Sequence, residues 1–188
     1  MTAPVPHWPG RMVALPGRER VWVAATPGLG SRAGAGLVLC VHGMSGSATN
    51  WTDLMAELAP DFDCVALDLP GSGFSPPPAR AAGYSVSALA GTVIRLIEAL
   101  GAGPVHLIGN SLGGAVAVRA AARRPDLIRT LTLVSPALPD LRFRRSVLHF
   151  PVLGLPFVGT RLVRQYVARF PVENRVNGVI ASCYYDPS

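Results

Sequence analysis

Residues 104–118 read PVHLIGNSLGGAVAV. This stretch contains the strand, turn and helix from which we predict the fold of the chain. Its apolar first half predicts a strand buried on both faces, and the small residues of its second half predict a helix. Between them lies Ser111, in the pattern Gly-x-Ser-x-Gly formed with Gly109 and Gly113. A turn this sharp strains the serine backbone and holds its hydroxyl above the carboxyl edge of a sheet.

The alternation of apolar runs with helical patterns extends to both sides of this turn. Continuous apolar runs predict buried strands at 36–43, 63–71, 104–109 and 130–135. Helical spacing predicts a first helix from Trp51 that Pro60 stops, and further helices at 87–100 and 112–124. In the first helix the spacing assigns to the buried face Trp51, Leu54, Met55 and Leu58. Two short strands, 11–15 and 20–26, flank a Pro-Gly turn and predict a hairpin. Together these elements predict an α/β fold with a mostly parallel sheet and helices on both faces.

The pattern changes after residue 136. The segment 146–170 shows no alternation of strands and helices and predicts short helices broken at Pro151 and Pro156. We therefore divide the chain into a core part, 1–136, and a cap or lid segment, 137–188.

Composition excludes several classes of protein. Of 188 residues, 49% are hydrophobic and 15% charged, which is unlike a disordered chain. The N-terminus has no apolar region typical of a secretory signal, and the three cysteines cannot all pair, so we expect a cytoplasmic protein. Most of the net charge of +6 comes from arginines after residue 141. These alternate with apolar residues and no binding motif accompanies them, so we expect no nucleic-acid partner. Prolines interrupt any long amphipathic helix there, so we disfavour membrane association.

A second motif supports a reactive serine. The stretch VLCVHGMSGSATNW, 38–51, places His42 and Gly43 at the end of the first buried parallel strand. The backbone N–H of Met44 would then face the N–H of Leu112 at the start of the predicted helix. Two such donors stabilise the oxyanion that forms when a serine attacks a carbonyl carbon.

Three motifs in order, VHGMSGSATNW, DLPGSGFS and HLIGNSLGG, resemble those of the α/β-hydrolase superfamily, in its serine-nucleophile branch. The resemblance covers about 11–136. It implies Ser111 as the nucleophile, the N–H groups of Met44 and Leu112 as the oxyanion hole, and a cap inserted after the fourth buried strand. We expect neither a cofactor nor a metal. A serine at the turn argues against the aspartate-nucleophile dehalogenases and epoxide hydrolases.

The other polar candidates receive structural interpretations. We expect His42 to hold its turn, and His106 lies too close along the chain to fold back on Ser111. Asp68 is interpreted as a loop anchor, while Asp140 and His149 are assigned to the cap. In the superfamily an acid and then a histidine follow the cap along the chain. No such segment follows here, so we expect a C-terminally truncated chain with weak activity.

The function predicted is a serine hydrolase acting on an ester or related acyl bond. The apolar residues of 148–157 indicate a small hydrophobic acyl substrate. Two alternatives remain open: a carbon–carbon bond hydrolase or acyltransferase using the same triad, and a non-catalytic binding module. The sequence carries no signal of oligomeric state.

Overall fold

A six-stranded sheet organises the first part of the protein. The computed structural model describes residues 8–17, 19–27, 30, 36–138, 158–169, 171, 173 and 174. The strands are β1 (Gly10–Ala14), β2 (Arg20–Ala25), β3 (Leu37–Val41), β4 (Asp63–Leu67), β5 (Val105–Asn110) and β6 (Ile128–Val134). The helices between them are α1 (Thr52–Leu58), α2 (Val86–Leu100) and α3 (Leu112–Arg123). Contacts divide the chain into two units, Met1–Leu138 and Pro139–Ser188.

The order of strands is β1-β2-β4-β3-β5-β6. From β4 to β6 all neighbours are parallel, whereas β1 and β2 form an antiparallel hairpin and β2 pairs antiparallel to β4. The predicted fold class, a mostly parallel sheet with an N-terminal hairpin, is confirmed. Because β3 lies in the middle, the loops that follow β3, β4 and β5 emerge side by side at the carboxyl edge.

Each face of the sheet carries its own hydrophobic cluster. On one face Leu39 and Val41 pack with side chains of α2 and α3. On the other, Val38 and Cys40 pack with Met55 of α1. Successive residues of a strand point to opposite faces, so both faces of β3 are covered. Helices on both faces are therefore confirmed.

Cys40 and Cys64 are fully buried in strands β3 and β4. Burial, with a smaller contribution from Cys64, raises the pKa of the Cys40 thiol to about 12. A thiol of this kind stays protonated and behaves as a small hydrophobic side chain.

Two predicted burial patterns are wrong. The run 130–135 was predicted to be buried on both faces, but β6 is largely exposed, including Leu131, Leu133 and Val134. Within the described residues β6 pairs only with β5, so it forms one edge of the sheet. Leu54 was predicted on a buried face and is 37% exposed.

The reason for the second difference is the position of Leu54 on its helix. Leu54 and Met55 both lie within α1, so their side chains point about 100° apart. Met55 is fully buried, which leaves Leu54 at the margin of the buried stripe.

In the second unit the structure describes a 12-residue helix, α4 (Val158–Arg169), which exposes Arg161, Arg164 and Arg169. Most of the remaining predicted cap segment lies outside the described residues, and its assignment as a cap stays a prediction. Among the described helices, none combines the length and apolar character needed to cross a bilayer.

Candidate active site

Ser111 occupies the junction between β5 and α3 with φ 50° and ψ −115°. This is the backbone conformation of the first central residue of a type II′ turn, which glycine normally occupies. Four hydrogen bonds hold the serine there. Its N–H donates to the carbonyl of Val134 at 3.0 Å, and its carbonyl accepts from the N–H groups of Gly114, Ala115 and Ala137 at 3.0, 3.2 and 2.8 Å. The surrounding chain therefore stabilises a conformation that is unfavourable for a residue with a side chain.

The glycines around Ser111 are required by close backbone approach. A Cβ on Gly113 would lie 2.2 Å from the carbonyl oxygen of Val41, and one on Gly109 would lie 2.5 Å from the carbonyl oxygen of Gly113. The first turn of α3 thus packs directly against the ends of β3 and β5. A third glycine, Gly114, was not singled out from the sequence. A Cβ on Gly114 would lie 2.7 Å from the Cβ of Pro136. The Gly-Gly pair at 113–114 was the signal in the sequence for this close packing.

The loop after β3 passes beside the serine. A Cβ on Gly43 would lie 3.1 Å from the Cβ of Ser111 and 2.9 Å from the side-chain oxygen of Asn110. Met44, the next residue, and Leu112, the first residue of α3, each carry a backbone N–H. Within the described part of the chain, neither N–H has a hydrogen-bond acceptor. The two unpaired N–H donors therefore belong to the residues that follow Gly43 and Ser111, the two residues in contact.

His42 is buried and uses both ring nitrogens in holding the loops. Its Nε2 accepts from the N–H of Leu69 at 3.0 Å, so Nδ1 carries the proton and donates to the carbonyl of Gly43 at 2.7 Å. Burial lowers the pKa of the ring, opposed by the bond to Gly43 and by the charge of Asp68. The neutral ring has no nitrogen left to accept a proton from Ser111.

Asp68 follows β4 and joins three segments. Its carboxylate accepts from the N–H of Ala48 at 2.6 Å and from the N–H of Phe74 at 2.8 Å. Its own carbonyl accepts from the hydroxyl of Ser75 at 2.6 Å. The same hydroxyl oxygen accepts from the N–H of Trp22 at 2.7 Å. Both carboxylate oxygens are engaged in bracing loops. The role of Ser75 was missed, although it ends the quoted DLPGSGFS motif.

Asn110 was also missed as a structural partner of the serine. Its side-chain N–H donates to the carbonyl of Val134 at 3.1 Å, the same carbonyl that accepts from the backbone of Ser111. Both bonds tie the end of β5 to the end of β6. A polar residue at the end of an apolar strand was the signal in the sequence.

His106 lies at the other end of the sheet. It is the second residue of β5, its Nδ1 lies 2.8 Å from the hydroxyl of Thr130, and its ring contacts Phe62 edge-on. Ser111 lies five positions further along the chain, about 16 Å away in an extended strand. The predicted cap residues Asp140 and His149 lie outside the described residues. The described part of the site therefore holds the hydroxyl of Ser111, on a strained backbone, and the backbone N–H donors of Met44 and Leu112.

The model of the alpha/beta hydrolase fold family matches residues 36–151. A dihydrolipoyllysine-residue acetyltransferase component of the acetoin cleaving system from Cupriavidus necator is 41% identical over 103 residues, which are 55% of this chain and 27% of that protein. Lipase LipV of Mycobacterium tuberculosis is 38% identical over 105 residues, 56% of this chain and 39% of that protein. The crystal structure of wild-type Cfl2 from Burkholderia cenocepacia has a TM-score of 0.71 and 26% identity, covering 84% of this chain and 54% of Cfl2. The chain thus spans less than half the length of these two curated relatives.

Proposed function

Because the chain belongs to the α/β-hydrolase fold family, we propose that it hydrolyses an ester or related acyl bond with Ser111 as the nucleophile. The observation that carries the proposal is the backbone of Ser111, held at φ 50° by hydrogen bonds from three other segments. Strain of this kind is kept where a side chain must be presented at a defined place. The hydrolase names of relatives such as Lipase LipV support the same reaction class.

In the proposed reaction the Ser111 hydroxyl oxygen attacks the carbonyl carbon of the substrate. The carbonyl oxygen becomes an oxyanion, which the N–H groups of Met44 and Leu112 stabilise. The leaving group departs with a proton, an acyl-serine remains, and water hydrolyses it. The unpaired state of both donors supports this assignment. Each oxyanion donor contributes about 10²–10³ in kcat.

The attacking hydroxyl also needs a base. A serine hydroxyl is a weak nucleophile at neutral pH, and the two histidines of the described residues are engaged elsewhere. We therefore place the base outside the described residues. The rate at which Ser111 attacks depends on that base.

The substrate proposed is a small hydrophobic acyl compound. Met44 is 62% exposed and follows Gly43, which packs against Ser111. Leu138 is 43% exposed and follows Ala137, whose N–H donates to the carbonyl of Ser111. On two loops, an exposed apolar residue therefore follows the residue that contacts the serine, and such residues favour an apolar acyl group.

Acyl transfer is the second candidate function, because one relative is named as an acetyltransferase component. The chemistry up to the acyl-serine is identical, and an alcohol or thiol then accepts the acyl group in place of water. Product analysis with and without such an acceptor separates the two functions. An acceptor ester formed faster than free acid identifies a transferase.

The proposed nucleophile is tested with a fluorophosphonate probe on the 188-residue chain. We expect slow labelling that Ser111→Ala abolishes and Ser135→Ala leaves unchanged. Ser135 is the matched control because it also has a positive φ, 44°, and follows a strand end. Labelling that persists in Ser111→Ala contradicts the assignment of the nucleophile.

Hydrolysis itself is tested by fusing the segment that follows the cap in a close relative after Ser188. We expect turnover of short p-nitrophenyl esters to rise by several orders of magnitude, the usual contribution of a complete triad. Ser111→Ala and loss of the added histidine each remove the gain. A folded fusion that hydrolyses no ester in a broad panel refutes the hydrolase assignment and favours a binding module.

A further inference from the structure

A small pocket of about 130 Å³ lies between β2 and the loops that follow β3 and β4. Its lining includes Trp8, Trp22 and Phe74, together with Asp68. Neither Ser111 nor the residues of the proposed oxyanion hole are among its lining residues. The pocket is therefore distinct from the acyl-transfer site.

Three aromatic rings concentrate at this one place. The rings of Trp22 and Phe74 have their centroids 5.1 Å apart and their planes inclined at 54°. The indole N–H of Trp8 donates to the carbonyl of Thr52 at 2.9 Å, which fixes that ring. Phe74 is 73% exposed, so burial of its ring contributes little to folding. The faces of such rings carry partial negative charge and attract cations.

A buried negative charge lies at the same pocket. Asp68 is 1% exposed, and its carboxylate accepts two backbone N–H groups. Among the described residues, no arginine or histidine forms an ion pair with it. His42 lies near enough for its charge to matter, but burial lowers the pKa of that ring and keeps it neutral at pH 7. The pocket therefore has a negative charge that no described side chain compensates.

We propose that this pocket binds a small organic ammonium ion of the trimethylammonium class. Its volume of about 130 Å³ is small and suits a group of the size of an ammonium head group. A metal ion fits poorly because Ca²⁺ and Mg²⁺ require about six oxygen ligands. The one carboxylate here already accepts two N–H groups. Aromatic faces and a nearby carboxylate are what a soft, poorly hydrated cation requires.

Binding is tested by tryptophan fluorescence of the whole chain, since two of the three pocket rings are indoles. Choline and tetramethylammonium chloride are titrated at constant ionic strength, with sodium chloride as the salt control. The neutral isostere of choline, 3,3-dimethyl-1-butanol, is the control for apolar binding. We expect saturable quenching by both ammonium ions, with a dissociation constant on the order of 1 mM. Equal binding of the neutral alcohol, or no saturable change with either cation, overturns the proposal.

Two variants locate the ligand. Phe74→Ala removes a ring that is 73% exposed, and we expect choline to bind at least about fivefold more weakly. The matched control is Tyr84→Ala, which removes an aromatic ring that is 51% exposed and outside the pocket; binding there stays unchanged. Asp68→Asn removes the charge and weakens binding by about tenfold or more. Unchanged affinity in Phe74→Ala, with an unaltered urea midpoint, overturns the proposal.

The head group has two possible sources, a free metabolite or a lipid. Flotation with phosphatidylcholine vesicles distinguishes them. Binding of choline without flotation supports a free ammonium compound, and Phe74-dependent flotation supports a lipid head group.

Discussion

Replacing Ser111 by glycine should stabilise the protein while abolishing its proposed chemistry. Serine at φ 50° and ψ −115° carries backbone strain of about 1–3 kcal/mol. Glycine relieves that strain but loses about 0.5–1 kcal/mol through its more flexible unfolded state. The difference leaves Ser111→Gly more stable than Ser111→Ala by about 1 kcal/mol, because alanine keeps the Cβ that causes the strain.

The assay is equilibrium unfolding in urea, followed by circular dichroism at one pH. With a slope of about 2 kcal/mol/M, the glycine variant has a midpoint about 0.5 M above that of the alanine variant. Ala115 provides the matched comparison, because it lies four residues further on, inside α3. There, glycine in place of alanine should destabilise by about 1 kcal/mol. A glycine at 111 that destabilises relative to alanine, as at 115, refutes the reasoning about strain.

Two further predictions follow from the same site. Gly113→Ala should destabilise the protein by about 1–3 kcal/mol or more, because the alanine Cβ would lie 2.2 Å from the carbonyl oxygen of Val41. The same change should slow labelling of Ser111. A urea midpoint equal to that of the wild-type protein contradicts this prediction. For His42, burial lowers the pKa of the folded state below the ordinary 6.5, so the unfolded chain takes up the proton first. Stability should therefore be constant above pH about 6.5 and fall below it, by up to about 1.4 kcal/mol per pH unit. Urea midpoints at pH 7.5 and 5.5 measure this, and a dependence unchanged in His42→Asn rules out the histidine as its cause.

Much of the fold was determined by local chemistry that the sequence displays directly. The apolar runs of β3 and β5 predict central strands, and β3 is buried along its whole length. Gly101 ends α2 with φ 64°, in the left-handed conformation expected of a C-cap glycine. The turn at Ser111 was predictable for the same reason, because a strand, a tight turn and a helix follow one another within a few residues.

What the sequence could not determine depends on neighbours that are distant along the chain. The run 130–135 has the composition of a buried strand, yet its burial depends on what lies beside it, and in the described residues the strand that contains most of it is an edge. Asp68 becomes a brace because its carboxylate reaches the N–H of Ala48, 20 residues away. Nor does any local pattern bring Trp8, Trp22 and Phe74 together with Asp68 at one pocket. Local sequence determines backbone geometry, whereas charge pairing, exposure and pocket shape depend on which distant segments the folded sheet brings into contact.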